Sequence, residues 1–77
     1  MQVAMTLTDL SPGETGIIHK IETDKTLSNR LRELGLLDGI IVRMIKMAPF
    51  NGPVEIKVHH SYLSIRWDDA QTIILKS

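Results

Sequence analysis

Seventy-seven residues carry nine basic and nine acidic side chains, three histidines, no cysteine, and one each of Trp, Tyr and Phe. That length suits one domain with one core, the balanced charge argues against a phosphate-backbone partner, and the missing cysteine excludes disulfides, thiolate metal sites and a cysteine nucleophile. With few aromatics among the 43% hydrophobic residues, Ile, Leu and Val must fill that core.

Met1-Gln2-Val3-Ala4-Met5-Thr6 lacks the basic start and long apolar stretch of a signal peptide. Leu7 and Leu10 flank Thr8-Asp9, which predicts a single helical turn capped by Thr8. Ser11-Pro12-Gly13-Glu14 has the proline and glycine of a type II turn. A first strand is expected from Glu14 to Glu22. Ile18 and Ile21 are three apart, so the alternation breaks and a bulge is predicted between them.

Asp24 or Thr26 can cap a short helix whose Leu27, Leu31 and Leu34 form one apolar stripe. Gly35 suits the left-handed position after the helix, from which Leu36 packs back on Leu31. A helix this short needs docking, and Arg30, Glu33, Glu14 and Arg66 are expected to tie it to the rest. They belong to no catalytic triad, carboxylate pair or phosphate loop.

Gly39 opens a strand from Ile40 to Met47, with Val42 and Met44 on one face and Arg43 and Ile45 on the other. Ile41 makes the second face apolar too, so either the docked helix or a partner covers it, and the helix is the expectation. Val54–Val58 and Tyr62–Arg66 read as a hairpin around His59-His60-Ser61, followed by a helical turn over Trp67–Ala70 and a last strand from Thr72 to Lys76. The longest apolar runs, Ile40-Ile41-Val42 and Ile73-Ile74-Leu75, are far too short to span a bilayer. The expected fold is one mainly β domain over residues 1–77, a small SH3-like barrel of about five strands with one inserted helix.

Leu7-x-x-Leu10-x-Pro12-Gly13-Glu14-x-Gly16, Arg30-Leu31-x-x-Leu34-Gly35-Leu36-x-x-Gly39-x-x-Val42, and Ala48-Pro49 with Gly52-Pro53 stand in order along nearly the whole chain. Ile56-x-Val58 and Leu63-Ser64-Ile65-Arg66 with Ala70 complete the series. This arrangement resembles the ferrous-iron transport protein A (FeoA) family. The resemblance implies a small cytoplasmic bacterial protein with an SH3-like barrel. It would act beside a membrane ferrous-iron transporter of the FeoB type and meet the membrane only through that transporter's cytoplasmic GTP-binding part. Similar domains form the C-terminal part of iron- and manganese-responsive repressors, so a freestanding metal- or effector-responsive regulator is the alternative. One departure stands out: His60 occupies a turn position where the family usually has glycine, so either the turn type has changed or His60 carries strain.

No enzyme, cofactor or nucleic-acid site is expected. His59 and His60 are the only candidate metal pair, but adjacent residues in a strand turn point apart and no carboxylate set accompanies them. His19 has no evident partner. The candidate partner surface is the turn Met47, Pro49, Phe50 and Asn51, joined by Leu37 and Asp38 if the helix end and this turn share a barrel rim. Phe50 has two readings, a plug for one barrel end or an exposed anchor.

Overall fold

The computed structural model describes residues 5–76. The expectation about the leader, as far as it rests on Met1–Ala4, lies outside them. The elements are β1 (Met5–Thr6), a 3-10 turn (Leu7–Asp9), β2 (Thr15–Ile21), α1 (Lys25–Glu33), β3 (Ile41–Met47), β4 (Val54–Val58), β5 (Ser61–Ile65), α2 (Trp67–Ala70) and β6 (Ile73–Leu75). All pairings are antiparallel, in the order β1-β6-β2-β3-β4-β5. The two-residue β1 is one strand more than the alternation suggested. No helix among the described residues is long and apolar enough to cross a membrane.

β2 curls the sheet. Its first half, Thr15 to Ile17, pairs with β3, and its second half, Ile18 to Ile21, pairs with β6. The predicted bulge falls at this handover: Ile18 lies opposite Leu75 and Lys20 opposite Ile74, so His19 is the extra residue. An extra residue bends and twists its strand. A second irregularity at Ile45 separates the Met44–Ile56 and Lys46–Glu55 pairs. Inside the curl, Ile18, Val42, Met44, Val54, Ile56 and Ile73 are all fully buried.

The turn before β2 has its expected form, with Glu14 N–H donating to the Ser11 carbonyl at 2.9 Å and Gly13 at φ +92°. The 3-10 turn starts from Thr6, not Thr8: Thr6 N–H donates to Asp9 Oδ2 at 2.8 Å. Asp9 reaches back three residues to this N–H, a contact that the apolar pair Leu7 and Leu10 does not signal.

Asp24, not Thr26, caps α1, accepting from Leu27 N–H at 2.9 Å. The helix ends in a complete Schellman motif. Leu36 N–H donates to Leu31 O at 3.1 Å and Gly35 N–H to Arg32 O at 2.9 Å, with Gly35 at φ +99°. Leu31 and Leu36 are both buried, while Leu34 is 45% exposed. The third residue of the stripe therefore faces solvent, because the left-handed step at Gly35 delivers Leu36 to the inward position. Nor do the four charges expected to anchor the helix do so. Among the described residues the ion pairs are Lys20–Glu22 and Arg32–Asp38, so Arg30, Glu33, Glu14 and Arg66 join none. Docking rests on apolar burial and the backbone cap. The helix also leaves Ile41 60% exposed, contrary to the expectation that it covers that face of β3.

These leucines should separate cleanly in urea unfolding. Leu36→Ala should cost about 2–5 kcal/mol as a core truncation. Gly35→Ala should cost about 1–2 kcal/mol, because alanine disfavours the left-handed region. Leu34→Ala should fall within about 0.5 kcal/mol of the parent. A large Leu34 effect with a small Leu36 effect would refute the assigned helix face.

Candidate functional site

β3 and β4 are joined by Ala48–Pro53, a tightly braced turn. Ala48 N–H donates to Pro53 O and Gly52 N–H to Pro49 O, each at 3.1 Å. The two central residues, Phe50 (φ 58°) and Asn51 (φ 55°), are both left-handed, as in a type I′ turn. Asn tolerates that region, but a bulky Phe is a genuine outlier there. Gly52 is required by space: a Cβ at this position would stand 2.8 Å from Ala48 Cβ and 3.1 Å from Pro49 O.

This geometry separates the two readings of Phe50. Its side chain is 100% exposed, so it plugs nothing. The plug reading fails because the aliphatic residues already close the core and the left-handed turn directs residue 50 away from it. Pro49 and Asn51 are exposed beside it, while Met47 is half-buried against the core. A groove of ≈ 240 Å³ lined by Asn51, Gly52, Pro53, Arg66, Trp67 and Asp68 adjoins the turn.

Leu37 and Asp38 lie elsewhere. They precede β3, whereas the turn follows it, so about 20 Å of strand separates the two groups. Leu37 is 43% exposed, and Asp38 Oδ1 lies 3.8 Å from Arg32 Nη2. The structure thus divides the predicted surface into two patches at opposite ends of one strand.

His59 and His60 form the two-residue turn between β4 and β5, and both are exposed. The left-handed residue is His59 (φ 55°), not His60. That sign pattern is the one of a type II′ turn, so any strain falls one residue earlier than the family comparison suggested. His19 is exposed on the bulge. Among the described residues, no three His, Cys, Asp or Glu side chains come together as a metal-ion set.

A further cluster was not singled out from the sequence. Register pairs Thr15 with Arg43, Arg43 with Lys57, and Lys57 with Tyr62, giving one row across four strands on the outward face. Ile17 and Ile41 form an exposed pair in the next row. Lys57 Nζ sits 5.6 Å from the Tyr62 ring centroid, and Arg43 Nη1 donates to Gly13 O at 3.3 Å. The groove here, of ≈ 470 Å³, is lined by Thr15, Gly39, Ile40, Ile41, Arg43, Lys57 and His59, with no acidic residue. Alternation in β3 already put Arg43 on the face opposite Val42 and Met44. Only the pairing register puts Lys57 beside it.

Comparison with known proteins matches this architecture. A Campylobacter jejuni relative named for Fe(2+) transport protein A is 30% identical over 69 residues, covering 90% of this chain and 93% of that protein. A Porphyromonas gingivalis protein, an Fe(2+) transport protein A/Fe(2+) transporter FeoB fusion, is 28% identical over 69 residues; the match spans 90% of this chain but only 8% of the fusion. The crystal structure of Stenotrophomonas maltophilia FeoA complexed with zinc, described as a procaryotic SH3 domain protein, superposes with TM-score 0.83 at 26% identity, covering 95% of this chain and 91% of that one. A manganese-dependent transcriptional repressor shares the fold, with TM-score 0.85 at 20% identity over 96% of this chain and 41% of the repressor. The fold is therefore a mainly β, SH3-like antiparallel sheet of six strands with a docked helix. The FeoA domain model matches residues 5–77, and the chain belongs to the FeoA family.

Proposed function

We propose that this chain is a non-enzymatic accessory protein of ferrous-iron uptake that docks on the cytoplasmic GTP-binding part of a FeoB-type transporter. The observation that carries this reading is the fusion relative, in which a segment similar to this chain and a FeoB transporter share one polypeptide. Fusion holds two modules at high effective concentration, which is useful when they work in contact.

For the contact itself, Phe50 is the strongest candidate. A fully exposed aromatic costs solvation, and its left-handed backbone adds strain. The solvation cost is recovered when the ring enters a partner's apolar pocket, where aromatic anchors contribute most of the binding energy, while the strain is already met in the free protein. The braced turn presents the ring with little freedom left to lose on binding. Pro49, Asn51 and the groove before Trp67 supply the rim. To regulate the transporter, the module must bind one of its states more tightly than the others, since equal affinity shifts nothing.

In an NMR titration with the cytoplasmic part of the transporter, saturable shifts should centre on residues 47–53. Phe50→Asp should retain the fold and weaken binding by about thirtyfold or more. Unchanged affinity in that variant, or shifts only at Leu37 and Asp38, would remove the turn from the interface. Gly52→Ala should keep the barrel but weaken docking, because the added methyl pushes Ala48 away and loosens the turn. A parallel titration with ferrous iron tests the alternative: saturable shifts around His19, His59 or His60 without a transporter response would favour a metal-responsive regulator.

A further inference from the structure

We propose that the outward face of β2–β5, centred on Arg43 and Lys57 with Ile41 beside them, binds an extended acidic segment of a partner protein. This face is separate from the Phe50 turn, and the inference does not depend on the docking role proposed for that turn.

The chain is neutral overall, yet this face is locally cationic. Arg43 and Lys57 are direct cross-strand partners, and His59 closes the same groove. Neither Arg43 nor Lys57 forms an ion pair among the described residues. Arg43 instead donates to a backbone carbonyl, and Lys57 lies over the Tyr62 ring. Of the nearby carboxylates, Glu14 accepts from Ser11 N–H, Glu55 lies opposite Lys46 in the next row, and neither lines the groove. Two adjacent cations without carboxylate partners leave a local field that an anionic ligand can neutralise.

The surroundings distinguish a peptide from a small anion. Ile41 is 60% exposed and faces Ile17 across the strands, so the cations border apolar surface. A free phosphate gains nothing from that surface. An extended chain crossing from β2 to β5 covers three strand gaps, about 14 Å, which corresponds to about four residues. In such a chain, carboxylates on one face meet Arg43 and Lys57, while a neighbouring apolar side chain covers Ile41. The Tyr62 ring, 60% exposed, bounds the far end of the row.

The test is an NMR titration of the isotope-labelled full chain with a blocked peptide of alternating Glu and Leu, alongside a Gln/Leu peptide and inorganic phosphate. The Glu/Leu peptide should give saturable shifts at Thr15, Ile41, Arg43 and Lys57, weakening as salt rises. The Gln/Leu peptide, and the double variant Arg43→Gln/Lys57→Gln, should each lose about tenfold in affinity. Ile41→Ser, an exposed substitution, should keep the fold and weaken the Glu/Leu peptide, which decides the matter even if the double variant unfolds. Equal affinity for the two peptides, equal response to phosphate, shifts centred on Phe50, or no saturable shift would each overturn the proposal.

Discussion

Everything in this barrel depends on β2 serving two partners in turn. A single strand hands its hydrogen bonds from β3 to β6 midway, and the extra residue His19 supplies the bend. Gly16 leaves room for the Leu75 side chain against this strand, since a Cβ there would meet Leu75 Cδ1 at 2.8 Å. Without this change of partner, β6 and the 3-10 turn would not sit over the β3–β4–β5 layer, and one apolar core would not be enclosed. A small chain without cross-links has little other means of burying enough surface.

Conformational strain is distributed with a pattern. Gly13, Gly35 and Gly39 take left-handed positions that glycine occupies freely. Among the described residues, the non-glycine residues in the left-handed region, Phe50, Asn51 and His59, all stand on hairpin turns and are all exposed. Strained turns persist only where their surroundings over-determine them. Around Phe50 the bracing is visible in two backbone hydrogen bonds, with Gly52 standing where a Cβ would press on Ala48. The β3–β4 hairpin therefore carries an apolar knob at its tip and a cationic row along its outward face.

The two surfaces follow different physics. In the docking proposed here, the tip offers an aromatic group whose contribution would depend on the pocket it entered. The face offers charge, which governs encounter and selectivity more than affinity. Net charge, zero in this chain, conceals the second surface completely because acids elsewhere cancel the sum.

Much of the architecture was legible in local chemistry. The Gly35–Leu36 helix end, the Pro12-Gly13 turn, the bulge after Ile18 and the division of β3 into a Val42–Met44 face and an Arg43 face each follow from residues a few positions apart. Backbone sterics and side-chain alternation act over that range. Membership of the FeoA family was likewise readable from ordered glycines and prolines. Tertiary structure decided what those rules leave open: that Leu36 displaces Leu34, that Phe50 points to solvent, that Leu37 and Asp38 lie far from the turn, and that Arg43 meets Lys57. Each depends on where distant segments stand in space, and such relations arise only when β2 bends and the sheet closes on its core.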